Sequence, residues 1–596
     1  MDEQQLHRLI GSVKSGELSR RRFIEMMAGF GLSVPFAFQM LLQSGIVSAA
    51  VRPAYKPTRR GGGGPLKLLL WQAPTSLNPH FATGDKDQYA ARIFYEPLAD
   101  WDAEGNLVPI LASEAPSLEN GMVARDGRSV TWKLKTGVQW HDGKPFTADD
   151  VVFTAEYAAD PAAATVSIGL YSDSRVEKID AHTVRVVFQK PTPAWARAFV
   201  GAFGMILPRH HFDAYRGAKS REAPLNLKAV GTGPYKFSSF APGDSVRAVI
   251  NPNYHEPNRP YFDTLEMKGG GDAVSAARAV LQTGEYDYAW NVQIEDEILK
   301  RLEQGGKGVV SIVPAATVEQ ISLNAADPWT EVAGERSSAK SRHPVFSDDA
   351  VREAFSLLVD RASIQKYIYG RTGIATANFL NYPEKFRSRN TKFEFNIDKA
   401  NKVLDAAAWK RGPDGIRGKD GRKLQFVFQT TTNAPRQKTQ AIIKQACQKA
   451  GIELELKSIP ASVFFSSDYG NPDTVSKFFS DIQMFAWTGA NPDPQRFMDY
   501  FCSWEIPNRE NKWIGRNVSR WHSDAYDQAF RAAQAELDPV KRAAIFIRMN
   551  DLVIEGRYII PIVNRPTVVA LARRLRAPLS GFSSDLYLLQ DWYMEA

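Results

Sequence analysis

Cysteine is nearly absent: Cys447 and Cys502 are the only two in 596 residues. Two thiols cannot form a disulfide framework, and one bridge or two free thiols both stay open. Histidine is scarce too, and the nine present show no metal-ligand spacing. HEPNR at 255–259 lacks the second histidine of a zinc-protease motif. No G-x-S-x-G elbow, no paired C-x-x-C and no G-x-G-x-x-G following a strand occurs. These absences argue against an enzyme, so no catalytic residue, metal or cofactor is expected. Positive charge is spread thinly: the formal net charge is +8, with no dense basic tract in the mature part beyond Arg59-Arg60. Nucleic-acid binding is therefore not expected. A permanent membrane span is lacking as well, because the apolar run at 26–47 is interrupted by Pro35 and Gln39 and no second candidate follows.

What is present begins with charge set against that apolar run. SRRRFIEMMAGFG (19–31) places three arginines directly in front of it, and the run ends in VSAA. A solvated flank of a buried helix is one reading of the arginines. The other is a secretory signal, with Val47 and Ala49 at the two positions a signal peptidase reads and a mature chain beginning near Ala50. Ser19-Arg20-Arg21-Arg22-Phe23-Ile24 also resembles the twin-arginine export signal. That resemblance implies that the twin-arginine translocase reads Arg20 and Arg21, that signal peptidase cuts after Ala49, and that the protein leaves the cytoplasm folded. No cysteine stands at the cleavage point, so a lipoprotein is not expected; the expectation is a soluble protein in the periplasm of a Gram-negative bacterium. RRGGGGP (59–65) reads as a flexible leader. The remaining length implies two to four domains.

Strand and helix signals alternate along the mature chain. KLLLWQ (67–72), RSVTWKLK within 128–146, TVRVVFQK (183–190) and the segment following the glycine turn of GTGPYKFSSF (231–240) read as strands. Thr147, with Asp150 three residues on, marks a capped helix start, and capping explains this acidic pair better than catalysis. Residues 348–370, 396–409 and 436–452 carry helical periodicity, with strands at 423–432 and 452–460. RYIIPIVNRPTVVALARRL (557–575) reads as strands returning to an existing sheet. The alternation predicts an α/β fold.

GVQWHDGKPFTADDVVFT resembles the signature of the family 5 extracellular solute-binding proteins of ABC importers, the peptide- and nickel-binding group. LNPHF, IFYEPLADWDAEGNLVPILA (93–112), GTGPYKF and SDDAVREAFSLLVDR resemble further blocks of that family in the expected order. The resemblance implies a two-lobed periplasmic binding protein of type II (a Venus flytrap) with an extra domain on the first lobe. Its expected divisions are 1–49 signal peptide, 50–65 leader, 66–107 with 230–330 and 550–596 first lobe, 108–229 extra domain, and 331–549 second lobe. It also implies a monomer that captures a peptide or peptide-like organic solute and delivers it to ABC permease and ATPase subunits. An opine-like conjugate, an oligosaccharide or a ligand-sensing role are the alternatives.

Candidate ligand contacts follow from the same resemblance. Peptide-binding relatives carry a Trp-x-x-Asp-like segment whose aspartate pairs with the ligand's ammonium. FAWTGANPDP (485–494) supplies Trp487, Thr488 and Gly489, but Ala490 stands at the aspartate's place, and Asp493 is either its substitute or a turn residue. An arginine that grips a peptide carboxylate is likewise replaced at the end of the preceding strand by Thr430 and Thr431, with Arg436 further along as a second-choice contact or a surface residue. Asn78 and His80, after the first strand, face the cleft by the family's architecture, although His80 also reads as a satisfied turn histidine. Short-peptide specificity is thus not expected, whereas binding of a bulkier organic solute is.

Overall fold

Leu66, Leu68 and Leu70 alternate with more exposed residues and are wholly buried, so Pro65–Leu70 (β1) forms a strand with one face in the core. In the computed structural model the described residues are 54–595 apart from 83, 467–469 and 490, together with 3–14, 18, 22–23 and 26–27. Arg20, Arg21, Ala49 and Ala490 lie outside them.

After helix α1 (Asp85–Arg92), three strands form a small antiparallel sheet: β2 (Ser129–Lys133), β3 (Ser174–Asp180) and β4 (Thr183–Phe188). Helix α2 (Ala148–Ala159) packs against this sheet. Thr147 caps α2 as read from the sequence: its hydroxyl accepts from Asp149 N–H, and Asp150 accepts from Thr147 N–H at 3.0 Å. The chain then enters the main sheet through β5 (Tyr235–Ala241), β6 (Ser245–Ile250) and β7 (Thr264–Gly269). Helix α3 (Ala273–Leu281), β8 (Tyr288–Ala289) and helix α4 (Asp296–Glu303) follow.

The long strand β9 (Gly308–Leu323) leads into a second α/β region. That region holds helix α5 (Asp349–Leu357), β10 (Ile374–Ala375), β11 (Gln425–Thr431), helix α6 (Ala434–Lys449), β12 (Glu453–Ile459) and β13 (Ile482–Gly489). Helices α7 (Asp524–Ala535) and α8 (Pro539–Gly556) precede the last long strand, β14 (Ile559–Ala572). The strand order is β12-β11-β13-β9-β14-β8-β1-β7-β6-β5, with β10 paired to β14. The helix expected over 348–370 is broken: α5 ends at Leu357, Asp360 caps a new turn by accepting from Ser363 N–H, and a π turn spans Gln365–Tyr369. The strands expected over 557–575 are chiefly one, β14, followed by the two-residue strand Leu575–Arg576.

Among the described residues, only β9 and β14 run through both halves of the sheet. Gly308–Val313 pairs with Thr567–Ala572, and Thr317–Ser322 pairs with Ile559–Arg565. Between these stretches the register shifts, with Pro314 in one strand and Pro566 in the other. Proline has no N–H to donate, so the ladder cannot continue through Pro566. The Asn564 side chain fills the gap, its Nδ2 donating to Ala315 O at 3.1 Å and to Thr317 O at 2.9 Å. One hydrophobic core lies on the side of β1 and is continuous from Leu66 through Trp132 and Trp140 to Trp592. It therefore joins the small sheet to the first half of the main one. Separate cores lie on the other side of the crossing, around Phe355, Phe428 and Ile482, and around Phe379, Phe501 and Phe546. Cys447 and Cys502 are both buried and free. No helix among the described residues is long and apolar enough to cross a membrane.

Candidate ligand cleft

The strand crossing collects charge. Glu319 lies on β9, wholly buried, and accepts from Arg436 at the start of α6 and from Arg565 of β14, the latter at 2.9 Å. Burial opposes the Glu319 charge, and the two guanidiniums more than offset it, holding the carboxyl below its ordinary range. Two cations on one carboxylate leave one net positive charge under the crossing. Arg565 also reaches Asn291 Oδ1 at 3.5 Å. The buried Tyr369 hydroxyl lies within reach of all three charges and has no hydrogen-bond partner among the described residues.

Register decides what surrounds this cluster. Thr317 pairs with Thr488 on one side and Arg565 on the other, while Val318 pairs with Trp487. Side chains alternate along a strand, so Glu319, Thr317, Thr488 and Arg565 share one face and Trp487 belongs to the other. The Thr317 and Thr488 hydroxyls are exposed and 3.2 Å apart. Trp487 is half-buried; its ring stacks on Tyr500 at 4.2 Å and 16°, with Phe485 edge-on at 5.0 Å. On the β1 side, Trp71 stacks on Trp290 at 5.6 Å, and its Nε1 donates to Asn291 O at 2.9 Å. Asp85 at the start of α1 keeps exposed surface, yet desolvation raises its carboxyl's pKa, and it is near enough for its charge to act on Tyr500 across the gap.

Other contacts also bridge the two sides. Lys438 meets Glu295 at 2.9 Å, and Tyr382 stacks on Phe582 at 5.0 Å. A Cβ added to Gly169 would lie 3.6 Å from Arg496 Nη1. The two sides therefore meet at several points around the β9–β14 crossing.

Several sequence-based assignments change here. Asn78 and His80 do not face a cleft; both are 0 % exposed. Asn78 caps a short turn and donates to Asn226 Oδ1 at 2.8 Å. His80 Nε2 meets Met205 O at 3.0 Å and Nδ1 meets the Ser167 hydroxyl at 2.7 Å, so both ring nitrogens are taken within the core. Thr430 and Thr431 are buried as well, the first donating to Met484 O and the second accepting from Arg436 Nη1 at 2.9 Å. Arg436 is neither a surface residue nor free for a ligand, because Glu319 and Thr431 engage its guanidinium. Asp493 does not replace the absent aspartate: both its oxygens pair with Arg542, and it also accepts from Gln495 N–H at 2.9 Å. Gly489 is buried against Ala316 and Phe497. Trp487 and Thr488 keep exposed surface.

Glu319, Arg565, Asp85, Tyr500 and the Trp71–Trp290 pair were not among the sequence-based candidates. Glu319 carries one available signal, the lone charged residue in the strand-like segment TVEQISL. Asp85 and Tyr500 carry none, because only the folded chain brings them near one another.

The model of bacterial extracellular solute-binding proteins, family 5 (middle region), matches residues 106–508, more than half of the chain. The chain is 29 % identical over 557 residues to the oligopeptide-binding protein AppA of Bacillus subtilis, covering 92 % of this chain and 94 % of that one. It is 23 % identical to the glutathione-binding protein GsiB of Shigella boydii, covering 91 % and 98 %. The solved structure of Bacillus subtilis AppA in complex with a nonapeptide superposes with a TM-score of 0.73 at 24 % identity, over 91 % of this chain and all of that one. The two regions joined at the β9–β14 crossing are the lobes of a periplasmic-binding-protein fold, and the chain belongs to the bacterial extracellular solute-binding proteins of family 5.

Proposed function

We propose that the protein is the substrate-binding subunit of an ABC importer, which closes its lobes on a peptide or peptide-like organic solute and presents it to the membrane permease and its ATPase. The relatives named as binding oligopeptides and glutathione support that solute class. The observation that carries the reading is the meeting of the two sides around the strand crossing, with aromatic stacks beside it. Aromatic stacks, Trp487–Tyr500 and Trp71–Trp290, belong to lobes joined, among the described residues, by only two continuous strands. Flat apolar walls with a few polar groups suit an organic solute that loses its hydration on closure. Population of the closed form then signals occupancy to the transporter.

The ammonium partner is the finer point. Position 490 is alanine, and Asp493 is committed to Arg542. Asp85, exposed on the opposite lobe, is the carboxylate we assign to a solute's ammonium. Export by the twin-arginine route, cleavage near Ala50 and a free monomer in the periplasm complete the proposal. Uptake of a labelled oligopeptide by cells lacking the gene is the test. Loss of uptake, restored by the wild-type chain and restored poorly by Asp85→Asn, is expected; uptake unchanged by the deletion contradicts the importer role.

A further inference from the structure

Far from the strand crossing, the Asp142-Gly143 turn meets the short helical turn Arg209–Phe212. His210 Nε2 and His211 Nε2 both point at one oxygen, Asp142 Oδ2, at 2.7 and 2.9 Å. Adjacent residues on a helix do not normally converge on one point; here the two rings lie 4.4 Å apart and tilted by 44° so that they do. We propose that Asp142, His210 and His211 form a binding site for a divalent transition-metal ion of the zinc class.

Four observations support it. Among the described residues this is the one place where three such ligand atoms gather, all within 4.8 Å of one another. The carboxylate is oriented independently, since its Oδ1 accepts from Lys144 N–H at 3.2 Å. The side chains are 21–34 % exposed, enough shelter to fix them and enough access for an ion and its remaining waters. The neighbouring cation is directed elsewhere: Arg209 reaches Asp149 and Asp213 at 3.8 and 3.9 Å.

Two imidazoles and one carboxylate match the preference of zinc, nickel or copper rather than of calcium or magnesium. The spacing also suits a shared metal. With bonds of about 2.05 Å, neighbouring ligands sit about 2.9 Å apart in an octahedron and about 3.3 Å apart in a tetrahedron. The two nitrogen–oxygen separations, 2.7 and 2.9 Å, lie near the first value and require an opening of about 0.4–0.6 Å for the second. On binding, the imidazole lone pairs replace the Nε2–H groups facing Asp142, with any neutral ring keeping its proton on Nδ1. The ion ties together two segments nearly seventy residues apart in sequence, so it stabilises the folded chain by mass action.

The test is a titration of the metal-free full-length protein with Zn²⁺, read by calorimetry and by melting temperature. One saturable equivalent and a higher melting temperature are expected. The variants His210→Ala, His211→Ala and Asp142→Asn each weaken binding by at least tenfold, the scale on which even outer partners of a metal act. X-ray absorption of the 1:1 complex should show two imidazoles at about 2.0 Å. Absence of saturable binding overturns the proposal. So does an unchanged equivalent in the His210→Ala/His211→Ala double variant, provided its circular dichroism matches the wild type. Peptide binding is a separate readout, and loss of zinc leaves it intact.

Discussion

His80 shows how far one residue's surroundings set its chemistry. Burial lowers its pKa to about 4, against the usual value near 6.5, because a charged ring has no solvent and a carbonyl is its only helpful neighbour. The folded state therefore holds the neutral ring, and its contribution to stability is whole above pH 6.5. That contribution is lost as pH falls from 6.5 toward 4, about 3 kcal/mol in all. Urea unfolding at pH 7 and pH 4.5 should show a smaller acid loss for His80→Gln than for the wild type; equal losses contradict the assignment. Trp487 poses the opposite case, since it packs on Tyr500 and Phe485 and stays only half-buried. Trp487→Ala is expected to lower solute affinity roughly tenfold and stability by about 1–2 kcal/mol, whereas Trp487→Phe keeps most of the stack. Affinity unchanged in Trp487→Ala, measured by calorimetry, places the ring outside the binding surface. The sequence marked Trp487 and Thr488 through their motif. At His80 its reading as a satisfied turn histidine holds and its cleft reading fails, as do the cleft readings of Thr430 and Arg436, because a motif gives neighbours along the chain, and their burial comes from partners such as Met205, Met484 and Glu319, more than fifty residues away in each case.

Among the elements, β9 and β14 are decisive because no other continuous strands among the described residues join the lobes. Their prolines interrupt the ladder at the crossing, and Asn564 replaces part of what is lost by donating to two carbonyls. Asn564→Ala removes both side-chain donations, so a stability loss of about 1–2 kcal/mol is expected from chemical denaturation. A loss below about 0.5 kcal/mol, within the ordinary range for surface substitutions, shows that water serves those carbonyls equally well. Local patterning foretold most elements: an apolar run ending at a turn marked β1, alternation marked β4, and the Thr147–Asp150 spacing marked the start of α2. It did not foretell that 559–572 is one strand shared by two lobes, since that depends on β8 and β9 lying on opposite sides of it. The break at Leu358–Asp360 was also hidden, because apolar periodicity continues across it while Asp360 caps the next turn.

For the whole molecule, two matters are separable: where it works and what it holds. If the twin-arginine reading is right, Arg20→Lys with Arg21→Lys leaves the precursor in the cytoplasm, as read by fractionation and immunoblotting; normal periplasmic levels of that variant contradict it. The central claim is that the two lobes bind a peptide-like solute and release it unchanged. Native mass spectrometry of the purified chain, incubated with a defined mixture of oligopeptides, tests this most directly. The account predicts a saturable 1:1 adduct whose released peptide has its original mass after long incubation. No adduct at saturating peptide, or recovery of cleaved fragments at many turnovers per chain, contradicts it.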